Sequence, residues 1–252
     1  MHLRPGIQLA NLTDTGCHRA ENEDYYCYFE PESEEQFERK GRIAVIADGM
    51  GGHEGGQIAS AIAVEKVRDA YLSHPSDDPR EALVEAFGAA QSAIQDFARE
   101  HPELAGMGTT CTCAVLKDHQ LYYGHVGDSR LYLIRDAAVA LLTEDHSLVR
   151  RMVREGSITP EQAAVHPDRN ILTAALGMQA AVPADFSETP LSLQSGDVLL
   201  LCTDGLHGLV SDPELGDVAT NLPAGEACEE LVRRAKNRGG FDNITIQILR
   251  VF

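Results

Sequence analysis

The feature that most constrains this chain is an apolar run that ends on a carboxylate and then on glycines, because it recurs. Residues 43–56 read IAVIADGMGGHEGG, so an apolar run carries Asp48 into a loop that is mostly glycine. VLLLCTDGL (198–206) does the same with Asp204, and YYGHVGDSR (122–130) with Asp128. FDNITIQI (241–248) sets Asp242 at the mouth of another run, and HRAENEDYY (18–26) places Glu21, Glu23 and Asp24 just before one. A single Asp-Gly at a strand end is ordinarily a hairpin turn. Several such aspartates brought side by side repel and raise one another's pKa values. Cations relieve that repulsion, and glycines let backbone carbonyls and solvent come close.

The runs around these acids read as strands over Ile7–Thr13, Tyr25–Phe29, Arg42–Ala47, Thr109–Leu116, Leu121–Val126, Leu131–Ile134, Val198–Cys202 and Asn243–Leu249. In the last of these Ile244, Ile246 and Ile248 share one face, with Thr245 and Gln247 on the other. Ile58, Ile62, Val67 and Tyr71 mark one long helix; Leu83, Phe87, Ala90, Ile94 and Phe97 mark a second. A C-terminal helix near Gly225–Arg238 stops at Gly239-Gly240. The charged segment Glu30–Lys40 reads as a loop.

Between strands, residues 146–176 form a polar, partly basic insert. SLVRRMVREG is helical in pattern, and ITPEQAAV restarts with Thr159 as cap, Pro160 in the first turn and Gln162 closing a capping box. Such an insert suits a flap over a site. Strands and helices come in blocks rather than in alternation, which favours an α+β fold of antiparallel sheets with helices layered outside.

The formal net charge of the 252 residues is −18. That argues against nucleic acid, whose binding needs a basic face, and against an acidic membrane surface. An anionic substrate is still admissible, since salt screens the global field over roughly 8 Å and local cations decide. No apolar run approaches the ~18 residues of a membrane span, and the opening MHLRPGIQLANL has no signal-peptide core. The six cysteines form no Cys-x-x-Cys pair. They read as buried free thiols in a reducing cytoplasm, with Cys111 and Cys113 on one strand face.

The candidate ligands are oxygens, which suits magnesium or manganese rather than softer metals. Water on such a metal can become a nucleophile, and paired metals can clamp an in-line displacement. Other motifs fail. Counting Gly-x-Gly-x-x-Gly from Gly49 puts Glu54 where the last glycine belongs. A phosphate loop counted from Gly51 meets Gln57-Ile58 instead of Lys-Ser/Thr, and His53-Glu54 lacks the second histidine of a zinc protease. One cation stands among the acids: the Arg19 guanidinium suits phosphate, or an ion pair with Glu21 or Glu23.

Taken together, RAENED (19–24), ADGMGGH (47–53), GTT (108–110), HVGDSR (125–130), EDHS (144–147), HPDRNILTAALG (166–177), TDGL (203–206) and FDNIT (241–245) resemble the metal-dependent protein serine/threonine phosphatases, the PPM or type 2C family, and more closely its bacterial members. The motifs occur in family order and span nearly the whole chain. The resemblance implies one phosphatase domain over 1–252, built as a four-layer αββα sandwich. Two antiparallel sheets pack together, helix pairs lie outside, and the flap covers about 146–176.

The resemblance also implies two core ions, manganese or magnesium, bridged by Asp48, with the Gly49 carbonyl, Asp204 and Asp242 as further ligands. Asp24 is implied as a metal residue, and Glu23 as its neighbour acting through water. Asp128 is implied to hold a third, weaker ion, Arg19 the substrate phosphate, and flap residue His166 a substrate contact. A metal-bridging water would attack phosphorus directly, on phosphoserine or phosphothreonine of proteins phosphorylated by a kinase. The enzyme is expected to be a monomer in the cytoplasm. Met50 stands where animal members carry a histidine proposed as general acid, which leaves His53, His166 or a metal-bound water for that role. Two other readings are a silent member of the fold that only binds, and a metal-dependent phosphodiesterase or nuclease. Every metal carboxylate is present, which disfavours the first, and the acidic charge disfavours the second.

Overall fold

The computed structural model describes residues 4–51, 54–178 and 184–252. Its first half runs β1 (Ile7–Asp14), β2 (Asp24–Phe29), α1 (Glu34–Lys40), β3 (Arg42–Met50), α2 (Glu54–Ser73), α3 (Pro79–Glu100), β4 (Gly108–Thr109), β5 (Cys111–Lys117) and β6 (Gln120–Val126). Its second half runs β7 (Arg130–Arg135), β8 (Ala138–Leu141), α4 (Leu148–Arg154), α5 (Pro160–Ala164), β9 (Asp185–Phe186), β10 (Leu191–Ser192), β11 (Val198–Cys202), α6 (Asp204–His207), α7 (Asp212–Asn221), α8 (Ala224–Asn237) and β12 (Ile244–Val251).

Two antiparallel sheets result. One is ordered β1-β12-β11-β7-β8; the other is ordered β10-β6-β5-β3-β2, with β4 beside β3 and β9 beside β6. The period-two alternation of each strand sorts its side chains into separate cores. Ile43, Val45 and Ala47 of β3 join α2 and α3 in one; Val198, Leu200 and Cys202 of β11 join α7 and α8 in another. Ala44 and Ile46 meet Leu199, Leu201 and Leu249 between the sheets. These three cores separate four layers in the order helix, sheet, sheet, helix, as the α+β expectation required.

The polar face of β12 does not point to water. Thr245 and Gln247 are fully buried between the sheets, where Gln247 Nε2 donates to Cys27 O at 3.1 Å. Segment 30–40 is not a loop throughout: Ser33 accepts from Gln36 N and caps α1, with Glu34 and Glu35 in the first turn and Arg39 and Lys40 in the last. The helix is held because Phe37 lies under the guanidinium groups of Arg4 and Arg42. Helix α7 is a further addition, started by a Ser211–Glu214 capping box. The thiol expectation also needs correction: all six cysteines are free, but Cys17 is exposed and Cys27 half-buried.

In the insert, α5 begins as its sequence indicates, with Thr159 and Gln162 closing the capping box and Pro160 in the first turn. The two ends of the insert are joined to each other, Leu148 N donating to Ile171 O and Thr173 N to His146 O, and they are tied to the sandwich where His146 N donates to Gly127 O and Leu176 N to Thr109 O.

Candidate active site

The acids converge because strand register puts them at one end of the sandwich. Asp24 and Asp48 are directly opposed across the β2–β3 ladder. Asp204 opens α6 just beyond β11 and Asp242 lies two residues before β12, so both come from the other sheet.

Asp24 spans the gap between the sheets. Its Oδ2 accepts from Thr203 Oγ1 at 2.9 Å and from Thr245 Oγ1 at 2.6 Å. Since Thr245 donates its one hydroxyl proton there, it accepts from Thr13 Oγ1 at 2.7 Å, which in turn accepts from Asn22 Nδ2. The other oxygen, Asp24 Oδ1, is buried with no hydrogen-bond partner, and so is Asp204 Oδ1. Asp48 is fixed through its backbone: its N–H donates to Thr110 Oγ1, and its carbonyl accepts from Thr110 N and Thr109 Oγ1, each at 2.9 Å.

Gly49 has a reason beyond access for solvent. A Cβ there would lie 2.1 Å from Gly56 O and 2.7 Å from Glu23 O. The first turn of α2 therefore packs directly on the strand end. Glu23 is held at both of its backbone groups, donating its N–H to Asn243 Oδ1 at 2.9 Å and accepting from Ser60 Oγ at 2.6 Å. Asn243 Nδ2 also donates to Thr15 O and Glu21 O. Asn243, Thr203 and Thr245 were not singled out from sequence. Their signal was adjacency to a strand-end aspartate, and their partners lie on segments remote in the chain.

The ion pair that Arg19 makes is with Asp242, and the charge of Glu23 lies near enough to act on it. Arg19 Nη2 meets Asp242 Oδ2 at 2.7 Å, and the arginine side chain is 49% exposed. Asp128 sits in the β6–β7 turn, which several neighbours hold. His146 exchanges two hydrogen bonds with the Gly127 backbone, and His207 Nε2–H donates to the Asp128 carbonyl at 2.9 Å. Arg130 grips Asp145 with two bonds of 2.9 and 2.7 Å. Asp128, Asp204 and His207 line one side of a cavity of about 360 Å³ whose other side is flap, including Val149, Val153 and Ala163. His166 stands apart from that lining: its Nδ1 accepts from Asp168 N at 3.1 Å and caps its own loop. His53 lies outside the described residues.

The electrostatics are those of uncompensated acids. Burial, followed by Asp204 and Asp242, pushes Asp24 up to about 7 against the pull of its two threonines. Burial and then Asp242 raise Asp204 to about 6, although Asp48 lies within hydrogen-bonding reach of it. Burial and then Asp24 hold Asp48 well above the usual carboxylate range; burial and then Asp204 do the same to Asp128. Two carboxylates in that contact need a proton or a cation between them. Among the described residues no three His, Cys, Asp or Glu side chains close into a ready cage. A hard cation that keeps several waters needs no such cage. The partnerless Asp24 Oδ1 and Asp204 Oδ1, in an all-oxygen donor set, fit magnesium or manganese.

Comparison with known proteins agrees with this arrangement. The profile of the protein phosphatase 2C family matches residues 22–239. The chain belongs to that family. Protein phosphatase PhpP of Streptococcus pneumoniae is 38% identical over 248 residues, 96% of this chain and 97% of its own. The serine/threonine phosphatase stp of Listeria innocua is 35% identical over 242 residues, 94% and 93% of the two chains. Among solved structures, the serine/threonine phosphatase PstP/Ppp of Mycobacterium tuberculosis superposes with a TM-score of 0.86 at 33% identity, covering 98% of this chain and 99% of that one. The catalytic domain of PstP in complex with two manganese ions superposes at 0.84 with 32% identity, covering 98% of each chain. In this chain Asp24, Asp48, Asp204 and Asp242 lie at one end of the sandwich, and Asp24 and Asp204 each keep a buried oxygen with no hydrogen-bond partner.

The cluster sets a pH dependence for stability. Asp24 and Asp204 have folded pKa values raised above the unfolded carboxylate value of about 3.9. The folded state thus binds more protons in between. Their favourable contribution is fully present below about pH 4 and is lost as pH rises through about 6 to 7. Buried His125 and His207, lowered by desolvation to about 4, act in the opposite sense up to about pH 6.5. Calorimetric scans of the chelated protein should therefore show Tm falling from about pH 6.5 to about pH 8. Manganese should raise Tm most at the higher pH. A chelated Tm that climbs over that interval contradicts the cluster as described.

Proposed function

We infer that this phosphatase 2C enzyme hydrolyses phosphoserine and phosphothreonine on proteins in a metal-dependent reaction. The observation that carries the reading is the pair of buried, partnerless carboxylate oxygens of Asp24 and Asp204 within a cluster completed by Asp48 and Asp242. Asp48, Asp204, Asp242 and the Gly49 carbonyl would hold two divalent cations, with Asp24 beside them and Glu23 acting through water. When bound, these ions supply charge compensation and a water activated for in-line attack at phosphorus.

The chain's own residues do the rest. Thr203 and Thr245 fix one oxygen of Asp24 and thereby aim the other. Thr109 and Thr110 fix the Asp48 backbone. Arg19 has one N–H on Asp242 and further donors at a half-exposed position, available to phosphate oxygens. His207 has its Nε2–H committed to the Asp128 carbonyl, so it positions that turn. His166 would meet substrate from the flap.

The proposal extends to a third, weaker ion at Asp128, to either magnesium or manganese in the core, and to substrates made by serine/threonine kinases. It places the protein in the cytoplasm, as its free cysteines suit a reducing compartment. It takes the enzyme as a monomer, since one chain supplies every residue invoked. Nucleic acid and membrane surfaces are not taken as partners, given the net charge of −18; among the described residues no helix is long and apolar enough to cross a membrane.

The direct test compares a phosphothreonine peptide with a phosphodiester such as bis-p-nitrophenyl phosphate, with manganese and with chelator. Rapid, metal-dependent release of phosphate from the peptide alone is expected; preference for the diester overturns the reading. Arg19→Ala should mainly raise KM, with kcat/KM falling by about 1–3 kcal/mol, the scale of charge-assisted hydrogen bonds. An unchanged kcat/KM would leave Arg19 only as the partner of Asp242. Asp128→Ala should keep two tight ions, read by calorimetry, while turnover at saturating manganese falls. Loss of all tight binding would make Asp128 a core ligand instead.

A further inference from the structure

Two loops meet at the lip of the acidic cluster, the one before β2 and the one before β12, and several contacts lock them together. Cys17 N donates to Gly240 O at 2.8 Å. Asn243 Nδ2 reaches back to Thr15 O and Glu21 O. Arg19 pairs with Asp242, and beside that pair the rings of His18 and Phe241 stack, with centroids 5.3 Å apart and planes 25° from parallel. The turn that carries the phenylalanine uses backbone open to glycine, with φ of +125° at Gly239 and +54° at Gly240. A Cβ on Gly239 would fall 2.4 Å from the Phe241 ring. The ring is therefore laid down on a rigid support.

Despite that support, Phe241 is 61% exposed. It rests on His18 and Gly239 and leaves much of its surface to solvent. Phe241 precedes Asp242 and His18 precedes Arg19, so this surface stands next to the ion pair where phosphate is read to bind. Neighbouring residues of an extended peptide are spaced 3.8 Å apart at Cα. A peptide whose phosphate faces Arg19 would therefore bring a flanking residue to the side of the ion pair where the ring stands.

We propose that the His18–Phe241 stack is the subsite for a basic side chain flanking the phosphorylated residue of the protein substrate. The proposal rests on the reading of Arg19 as the phosphate contact. The face of a phenyl ring is electronegative and attracts a guanidinium or ammonium group. The two loops also carry Asp14, Glu21 and Asp242, of which Asp14 is matched by Lys236 and Asp242 by Arg19, while Glu21 is exposed. The whole chain adds a net charge of −18. An acidic flank meets repulsion here and an aliphatic flank gains only contact area.

The test measures kcat/KM with manganese on three phosphothreonine peptides that differ only in carrying Arg, Leu or Glu on both sides of the phosphothreonine. Hydrolysis of p-nitrophenyl phosphate, which has no flanks, is followed in parallel. The wild type should prefer Arg to Leu by about three- to tenfold, the range of a partly desolvated cation–π contact, and Glu should be poorest. Phe241→Leu keeps apolar bulk but removes the ring; it should erase the Arg-over-Leu preference while leaving p-nitrophenyl phosphate turnover unchanged. Phe241→Ala should do the same. A wild type indifferent to the flank, a preference that survives both variants, or an equal loss on every substrate overturns the subsite. A wild type inert on all four substrates instead removes the phosphatase reading beneath it.

Discussion

Asp48→Asn should reduce phosphopeptide turnover by about a thousandfold or more, roughly 4 kcal/mol in the barrier, while leaving a folded protein. The carboxylate sits among Asp24, Asp204, Asp128 and Asp242, and burial with their charges holds it well above the normal carboxylate range. An amide of the same shape can keep the strand-end backbone bonds to Thr109 and Thr110. It cannot serve as an anion between two cations. The same change removes one buried charge from a repelling set, so the chelated mutant should melt above the chelated wild type near neutral pH. Loss of turnover with a raised metal-free Tm is a signature that simple misfolding does not give. Near-wild-type turnover in a mutant that still binds two ions would sink the assignment.

Gly49→Ala should be nearly as damaging for a different reason. The new methyl would stand 2.1 Å from Gly56 O, a backbone atom in the first turn of α2 that no side-chain rotation can relieve. Either the helix start or the strand end must move. Overpacking of this kind costs about 1–3 kcal/mol and sometimes more, and the moved residue is the neighbour of Asp48. Gly88 in α3 is the matched control, because nothing lies within 4 Å of its Cβ position. Gly88→Ala should stabilise by about 0.5–1 kcal/mol through helix propensity. Urea melts of the two variants check the pair; a Gly49→Ala protein as stable as the wild type, or stabilised like Gly88→Ala, would mean that close packing does not set the glycine at position 49.

These two positions show what could be read along the chain. An apolar run, then Asp, then Gly is a local pattern, and it marked Asp48 and Asp204 at the ends of buried strands. The apolar runs of β3 and β11 likewise indicate the sheets, because burial on both faces leaves a continuous apolar run, and β12 adds its alternation of Ile with Thr and Gln. What the pattern could not supply was the far partner. Asp24 depends on Thr203 and Thr245 from the opposite sheet, and the loop before β2 depends on Asn243. The alternation of Thr and Gln with Ile in β12 separates two faces but does not say where the polar one points; only the pairing of sheets reveals that it is internal. Helices α1 and α7 escaped notice because their apolar content is low, although the caps at Ser33 and Ser211 were visible locally. Arg19 stands out along the chain as a cation among acids, but its partner Asp242 is distant in sequence and the neighbouring Glu21 and Glu23 do not point to it.

Titration of the metal-free protein with manganese, with heat, proton release and phosphopeptide turnover followed on the same sample, tests the central claim most directly. Near pH 6.5 the account predicts two tight ions per chain. Protons should be released as Asp24 and Asp204, raised to about 7 and about 6, give them up to the metals. Turnover should rise from nothing in step with the second ion. Full activity in the metal-free protein, or manganese binding that neither releases protons nor switches on turnover, would contradict it.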